Sequence, residues 1–172
     1  LLALICLGSI PLIIFGYLFY STGWVDYLRN LKVIAWTTLT FGLILFFADK
    51  IKVSKNLNSD LNFKNILIIG IFQILAIIPG VSRSGIVITV SRFLNFDRVD
   101  STKIAFYLSI PALSGASFLG LKDIFDTGLE INLIFLYSIF FSFIISYLTI
   151  KFFLIFIKKF SLNFFVFYRV LL

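Results

Sequence analysis

The run Gln73-Ile74-Leu75-Ala76-Ile77-Ile78-Pro79-Gly80-Val81-Ser82-Arg83-Ser84-Gly85 sets one arginine between two serines and two glycines against an apolar background. A guanidinium is a planar fork of N–H donors that matches phosphate oxygens in pairs, which an ammonium does less well. Ser82 and Ser84 add hydroxyls, while Gly80 and Gly85 let the backbone turn sharply and expose its N–H groups. A half-helix beginning after Gly85 aims its positive end at the same point. All of these groups favour an anion. An arginine at bilayer depth costs about 2.5–3.5 kcal/mol on insertion scales, so it is normally paired or functional. The bland alternatives are that Arg83 caps a helix or pairs with a carboxylate from elsewhere.

The bilayer enters through composition. The 172 residues are 60% hydrophobic and 13% charged, with a mean hydropathy of +1.09, which no soluble domain of this size could cover with polar surface. The expected fold class is all-α, a polytopic integral-membrane helix bundle. Spans are expected at about 1–20, 33–48, 104–121, 131–157 and 160–172, the last cut short. Between them, 65–94 holds two apolar pieces too short for a hydrocarbon core that needs roughly 20 helical residues. Interrupted at Pro79-Gly80, this segment reads as a re-entrant helix-loop-helix hairpin. Pro11 falls inside the first span and is expected to kink it, while Pro111 lies with Gly115 and Gly120 among small residues suited to helix-helix contact. The chain lacks methionine and stops within an apolar run, so it reads as a single membrane domain, 1–172, belonging to a longer protein.

Absent residue types exclude chemistries. With no histidine, the chain cannot supply a Ser-His-Asp triad, a histidine-ligated metal or a phosphohistidine. The lone Cys6 lies in an apolar run and reads as a packing residue. A soluble P-loop is excluded because the G-x-x-x-x-G-K-[ST] spacing is missing. The net charge of +7 falls mostly in links between apolar runs, where it suits lipid head groups rather than nucleic acid. With the hairpin re-entrant, the basic links 49–64, 92–103 and 151–159 share one side, the cytoplasmic one, and 122–130 with its three acids lies on the other. The tripeptide Ser9-Ile10-Pro11 recurs as Ser109-Ile110-Pro111, too short a match to place a duplication. Arg169 is expected to snorkel from a span end or pair within the bundle.

The Gln73–Gly85 run, with Asp97-Arg98 and Ala105-Phe106-Tyr107-Leu108-Ser109-Ile110-Pro111 after it, resembles the bacterial undecaprenyl-diphosphatase (bacitracin-resistance) family and its P-G-x-S-R-S-G signature. The resemblance covers the whole chain, including the Ala48-Asp49-Lys50 end of the second span and Tyr168-Arg169. It implies an integral-membrane phosphatase of the bacterial plasma (inner) membrane. Such an enzyme converts undecaprenyl diphosphate to undecaprenyl phosphate and phosphate, recycling the carrier lipid for peptidoglycan and conferring bacitracin resistance. It implies Arg83 as the catalytic residue clamping the diphosphate, with Ser82, Ser84, Gly80 and Gly85 binding substrate. It also implies inverted repeats, a divalent cation (Mg or Ca) whose carboxylate ligands lie before Leu1, no metal ligand in this chain, and a polyprenyl diphosphate lipid as partner. A homodimer is compatible with it. One departure stands out: where the family has S-R-S-G-A-T, this chain has Val87 in place of the threonine, with Thr89 as a candidate replacement. A transporter or lipid flippase with an anion site at a broken helix is the alternative from another class.

Overall fold

The computed structural model describes residues 1–23, 28–126 and 133–171. Among them the chain is all-α. Its elements are α1 (Leu2–Ser21), α2 (Leu31–Asp49), α3 (Leu57–Asp60), α4 (Phe63–Gln73), a 3-10 turn (Ile74–Ile77), α5 (Arg83–Phe93), α6 (Arg98–Asp126), α7 (Leu133–Lys159) and α8 (Asn163–Leu171). Helices α1, α2 and α7 are each long and apolar enough to cross a membrane. Pro11 and Pro111 sit within α1 and α6 without ending either helix. Helix α6 runs well beyond the apolar core 104–121 at both ends. Charged residues at 98–103 stop an apolar count but do not stop a helix.

Helix α5 is the centre of the packing. All residues from Ile86 to Arg92 are buried, and α5 rests on α2, α4 and α6 at once. Around it gather Ile66 and Ile69 of α4, Ile104, Ala105 and Leu108 of α6, and Phe96. Helix α7 is the opposite case: Ile134, Tyr137, Phe140, Phe143 and Ile145 face outward, which suits hydrocarbon and not water.

Helices α1 and α4 cross where two glycines meet. A Cβ on Gly70 would overlap the carbonyl group of Gly8, and one on Gly8 would press on Ile66 and Leu108. Small residues let helix backbones approach this closely in lipid, where dispersion drives association. Gly70→Ala should therefore cost about 1–3 kcal/mol, because the backbone it strikes yields only by separating the helices. Thermal unfolding in detergent checks this against Gly16→Ala, whose new methyl meets open space. Equal melting of the two variants would mean that the helices do not pack this tightly.

At the far end of α5 a polar knot ties four segments. Asp49, closing α2, accepts from Arg98 Nε at 2.7 Å and Nη2 at 2.8 Å, and from the backbone N–H of Leu162 at 3.3 Å. Arg92 donates to the carbonyls of Phe96 (2.6 Å), Asp49 (2.9 Å) and Ile51 (2.7 Å). By sequence Arg92 belongs with the exposed loop charges; instead it is buried, its two Nη atoms bonded to the three carbonyls and its Nε, without a hydrogen bond, 3.8 Å from the Asp49 carboxylate. Beside the knot, Leu57 N–H donates to Asp100 at 2.9 Å, and Lys55 pairs with Phe96 in an isolated parallel bridge. The chain before α4 and the chain after α5 thus meet at one end of the bundle.

Candidate functional site

The site lies at the other end of α5. After the 3-10 turn, Ile78 leaves the helical region with ψ 124°, Gly80 adopts φ +92° and Ser82 φ +63°. Ser82 is the N-cap of α5: its Oγ accepts from Gly85 N–H at 3.3 Å, and its carbonyl accepts from Ile86 N–H at 3.0 Å. A serine holding a left-handed φ is strained by an amount on the order of 1–3 kcal/mol. The fixed cap leaves α5's first turn, with its positive end, facing the loop.

Helix α2 holds this loop from outside. Thr37 Oγ1 lies 2.6 Å from the carbonyl of Pro79, and Thr38 Oγ1 lies 3.3 Å from that of Gly80. Nothing in the sequence marks these threonines, which sit in an ordinary apolar span. A Cβ on Gly80 would strike Thr37 Oγ1 and come to 2.7 Å from the Ile34 carbonyl oxygen. Gly80→Ala combines that contact with an unfavourable φ and should lower stability by about 1–3 kcal/mol. An unfolding midpoint indistinguishable from the parent's would overturn this account of the loop.

Arg83 opens α5. Its Nη1 is shielded from solvent with no hydrogen-bond partner, and among the described residues no carboxylate pairs with it. Ser82, Ser84 and Gly85 share its turn and are half-buried. Ser82 already serves as the cap, which leaves its hydroxyl proton free to donate. Val87 is buried in the core, and Thr89 Oγ1 donates backwards to the Gly85 carbonyl at 2.7 Å. Thr89 therefore braces the first turn of α5.

Arg169 is the residue whose position the sequence did not reveal. Its guanidinium neither snorkels outward nor pairs with an acid among the described residues. A Cβ placed on Gly85 would lie 2.9 Å from Arg169 Nη2 and 3.2 Å from Ser82 Oγ. Arg169 Nη1 is likewise buried without a partner. Gln73, at the start of the motif and fully buried, has neither amide atom bonded. No group of three or more His, Cys, Asp or Glu residues gathers among the described residues. The described residues do not fit a divalent cation.

An apolar helix bundle carrying a broken, arginine-bearing hairpin defines a helical membrane protein. Over residues 1–172 the chain matches the family described as bacitracin resistance protein BacA. It is 57% identical across its whole length to the undecaprenyl-diphosphatase of Pelagibacter ubique, covering 68% of that protein. It is 43% identical to that of Elusimicrobium minutum, covering 65%, and 37% identical over 98% of its own length to that of Alteromonas mediterranea, covering 63%. The chain belongs to the BacA family, and it spans roughly two thirds of the length of these relatives.

Proposed function

We propose that this chain forms part of an undecaprenyl-diphosphate phosphatase in a bacterial plasma membrane, regenerating the carrier lipid for peptidoglycan and thereby conferring bacitracin resistance. The observation that carries the reading is the unpartnered Arg83 guanidinium at the N-terminus of a buried half-helix. The relatives' shared name supplies the substrate. In the reaction, a water oxygen bonds to the terminal phosphorus and the bridging P–O bond breaks, the water's protons passing to the released phosphate and to solvent. Polyprenyl phosphate leaves with the electron pair. Negative charge grows on the bridging and equatorial oxygens, where Arg83 and the positive end of α5 are pre-aimed. Ser82 and Ser84 donate hydroxyls to non-bridging oxygens, and Gly80 and Gly85 keep the loop open to them. A divalent cation, Mg or Ca, belongs to the reading through the family resemblance, with ligands outside the described residues.

The hairpin 65–94 is proposed to enter and leave the membrane on one side. What supports this is that α4 begins and α5 ends beside the same polar knot, at Asp100–Leu57 and Lys55–Phe96. Phosphate release by the intact protein in vesicles containing a C55 polyprenyl diphosphate tests the activity. Lipid translocated across the vesicle with no phosphate liberated would replace the phosphatase with a flippase.

A further inference from the structure

Helix α2 reaches the signature loop through a hydroxyl that has more acceptors than protons. Thr37 Oγ1 lies 2.6 Å from the Pro79 carbonyl oxygen, 2.8 Å from that of Val33 and 3.1 Å from that of Ile34. A hydroxyl donates once. Val33 and Ile34 belong to α2, where the helical N–H groups four residues on already serve their carbonyls. Among the described residues no backbone N–H donates to the Pro79 carbonyl, which leaves Thr37 as its donor. A carbonyl left empty in a poorly solvated place is costly, so the proton belongs on the loop and not on the helix. Thr40, one turn further along α2, shows the ordinary behaviour: its hydroxyl donates back to the Trp36 carbonyl at 2.7 Å.

That choice fixes the peptide units of the turn. The carbonyl and the N–H of a trans peptide point in opposite directions. With the Pro79 carbonyl held on α2, the Gly80 N–H is turned to the far side of the loop, where it has no acceptor among the described residues. Thr38 acts more weakly on the next unit: its Oγ1 lies 3.3 Å from the Gly80 carbonyl, and the opposed Val81 N–H donates to the Ile78 carbonyl at 3.3 Å. Ser82, the cap that aims α5, follows directly, and Arg83 opens the helix. A shift of the Pro79-Gly80 unit is therefore passed along the chain to the cap and to Arg83.

We propose that Thr37, assisted by Thr38, is a positioning residue that clasps the Pro79-Gly80 turn to α2 and thereby sets the Gly80 N–H and the Arg83 turn for phosphoryl transfer. The effect on phosphoryl transfer rests on the phosphatase reading, while the clasp on the loop does not depend on it. Both threonines lie outside the signature run, on a helix that otherwise serves as an ordinary span.

The test uses the intact protein, purified in detergent. Thr37→Val removes the hydroxyl and keeps the branched shape, Thr37→Ser keeps the hydroxyl, and Thr40→Val is the control on the same helix. Hydrogen exchange over residues 78–86, read without lipid, should quicken about 3- to 10-fold in Thr37→Val, the factor that one neutral hydrogen bond is worth. It should quicken less in Thr38→Val, and stay at the parent's rate in Thr37→Ser and Thr40→Val. With a C55 polyprenyl diphosphate, kcat per folded protein should fall by a similar factor in Thr37→Val while KM stays within about twofold, because a misplaced donor costs most where charge develops. Thr37→Ser should recover the rate. A threonine that only supported the fold would lower the melting temperature and leave the kcat of the folded protein unchanged. Parental exchange in Thr37→Val, equal quickening in Thr40→Val, or faster exchange with parental kcat overturns the proposal. If the parent itself releases no phosphate from the lipid, the phosphatase reading fails, and the exchange series alone decides the clasp: the stated order of variants sustains it, and parental exchange in Thr37→Val ends it.

Discussion

Replacing Arg83 with alanine should reduce phosphate release from a polyprenyl diphosphate by about 10³- to 10⁵-fold, the range found when an arginine that stabilises phosphoryl transfer is removed. The geometry explains why the loss falls on the rate. Arg83 sits where α5 begins, aimed by the Ser82 cap, and its Nη1 makes no bond within the chain. An interaction of that kind strengthens as charge develops on the leaving and equatorial oxygens, so kcat should fall more than KM rises. Arg83→Lys should recover only part of the rate, because the fork is lost while the charge remains. Stability should move the other way. The alanine variant removes a poorly solvated and unpartnered charge, so its melting temperature in detergent should equal or exceed the parent's. Near-parental phosphate release would remove Arg83 from the mechanism. A large drop in melting temperature would instead make it a structural residue.

Some of this arrangement is legible in the sequence because it breaks a uniform pattern. An arginine with serines and a Pro-Gly pair is conspicuous inside apolar runs, and the broken hairpin follows from two pieces each too short to cross. The family resemblance rests on the same run. What stays hidden depends on packing between distant segments. Arg169 reads as a span-end charge until Gly42 is seen to pass its stem inward. Thr37 and Thr38 look like tolerated polar residues in α2 until their hydroxyls are found on the Pro79 and Gly80 carbonyls. Thr89 looks like a free hydroxyl, and only helix geometry shows its proton turned back onto the carbonyl four residues earlier. Arg92 and Asp49 have the sequence signature of loop charges at a membrane surface. Their burial depends on α2, α5, α6 and the turn before α8 converging.

That convergence makes Asp49 the residue whose loss should most damage the fold. Its carboxylate, with only 3% of the side chain exposed, receives both prongs of the Arg98 fork, lies 3.8 Å from Arg92 Nε, and caps the backbone N–H of Leu162. Breaking a fully buried pair by removing one partner costs about 3–5 kcal/mol; because 37% of the Arg98 side chain is exposed, water screens part of its loss and the cost should lie at or below the lower end of that range. In Asp49→Ala two arginines would be left facing each other around an apolar methyl. The Arg92 contacts to backbone carbonyls would hold only one of them. Asp49→Asn keeps an acceptor but loses the charge and one prong of the fork, so its loss should fall between those of alanine and the parent. Because the knot anchors the end of α5 opposite to Arg83, the damage should extend to the loop as a loss of active protein, with little change in KM for the fraction that stays folded. Unfolding of the purified variants, read beside the KM of the folded fraction, separates this from a direct role. A melting curve unchanged by Asp49→Ala would show that the knot contributes little. A raised KM with normal stability would place Asp49 in the substrate path.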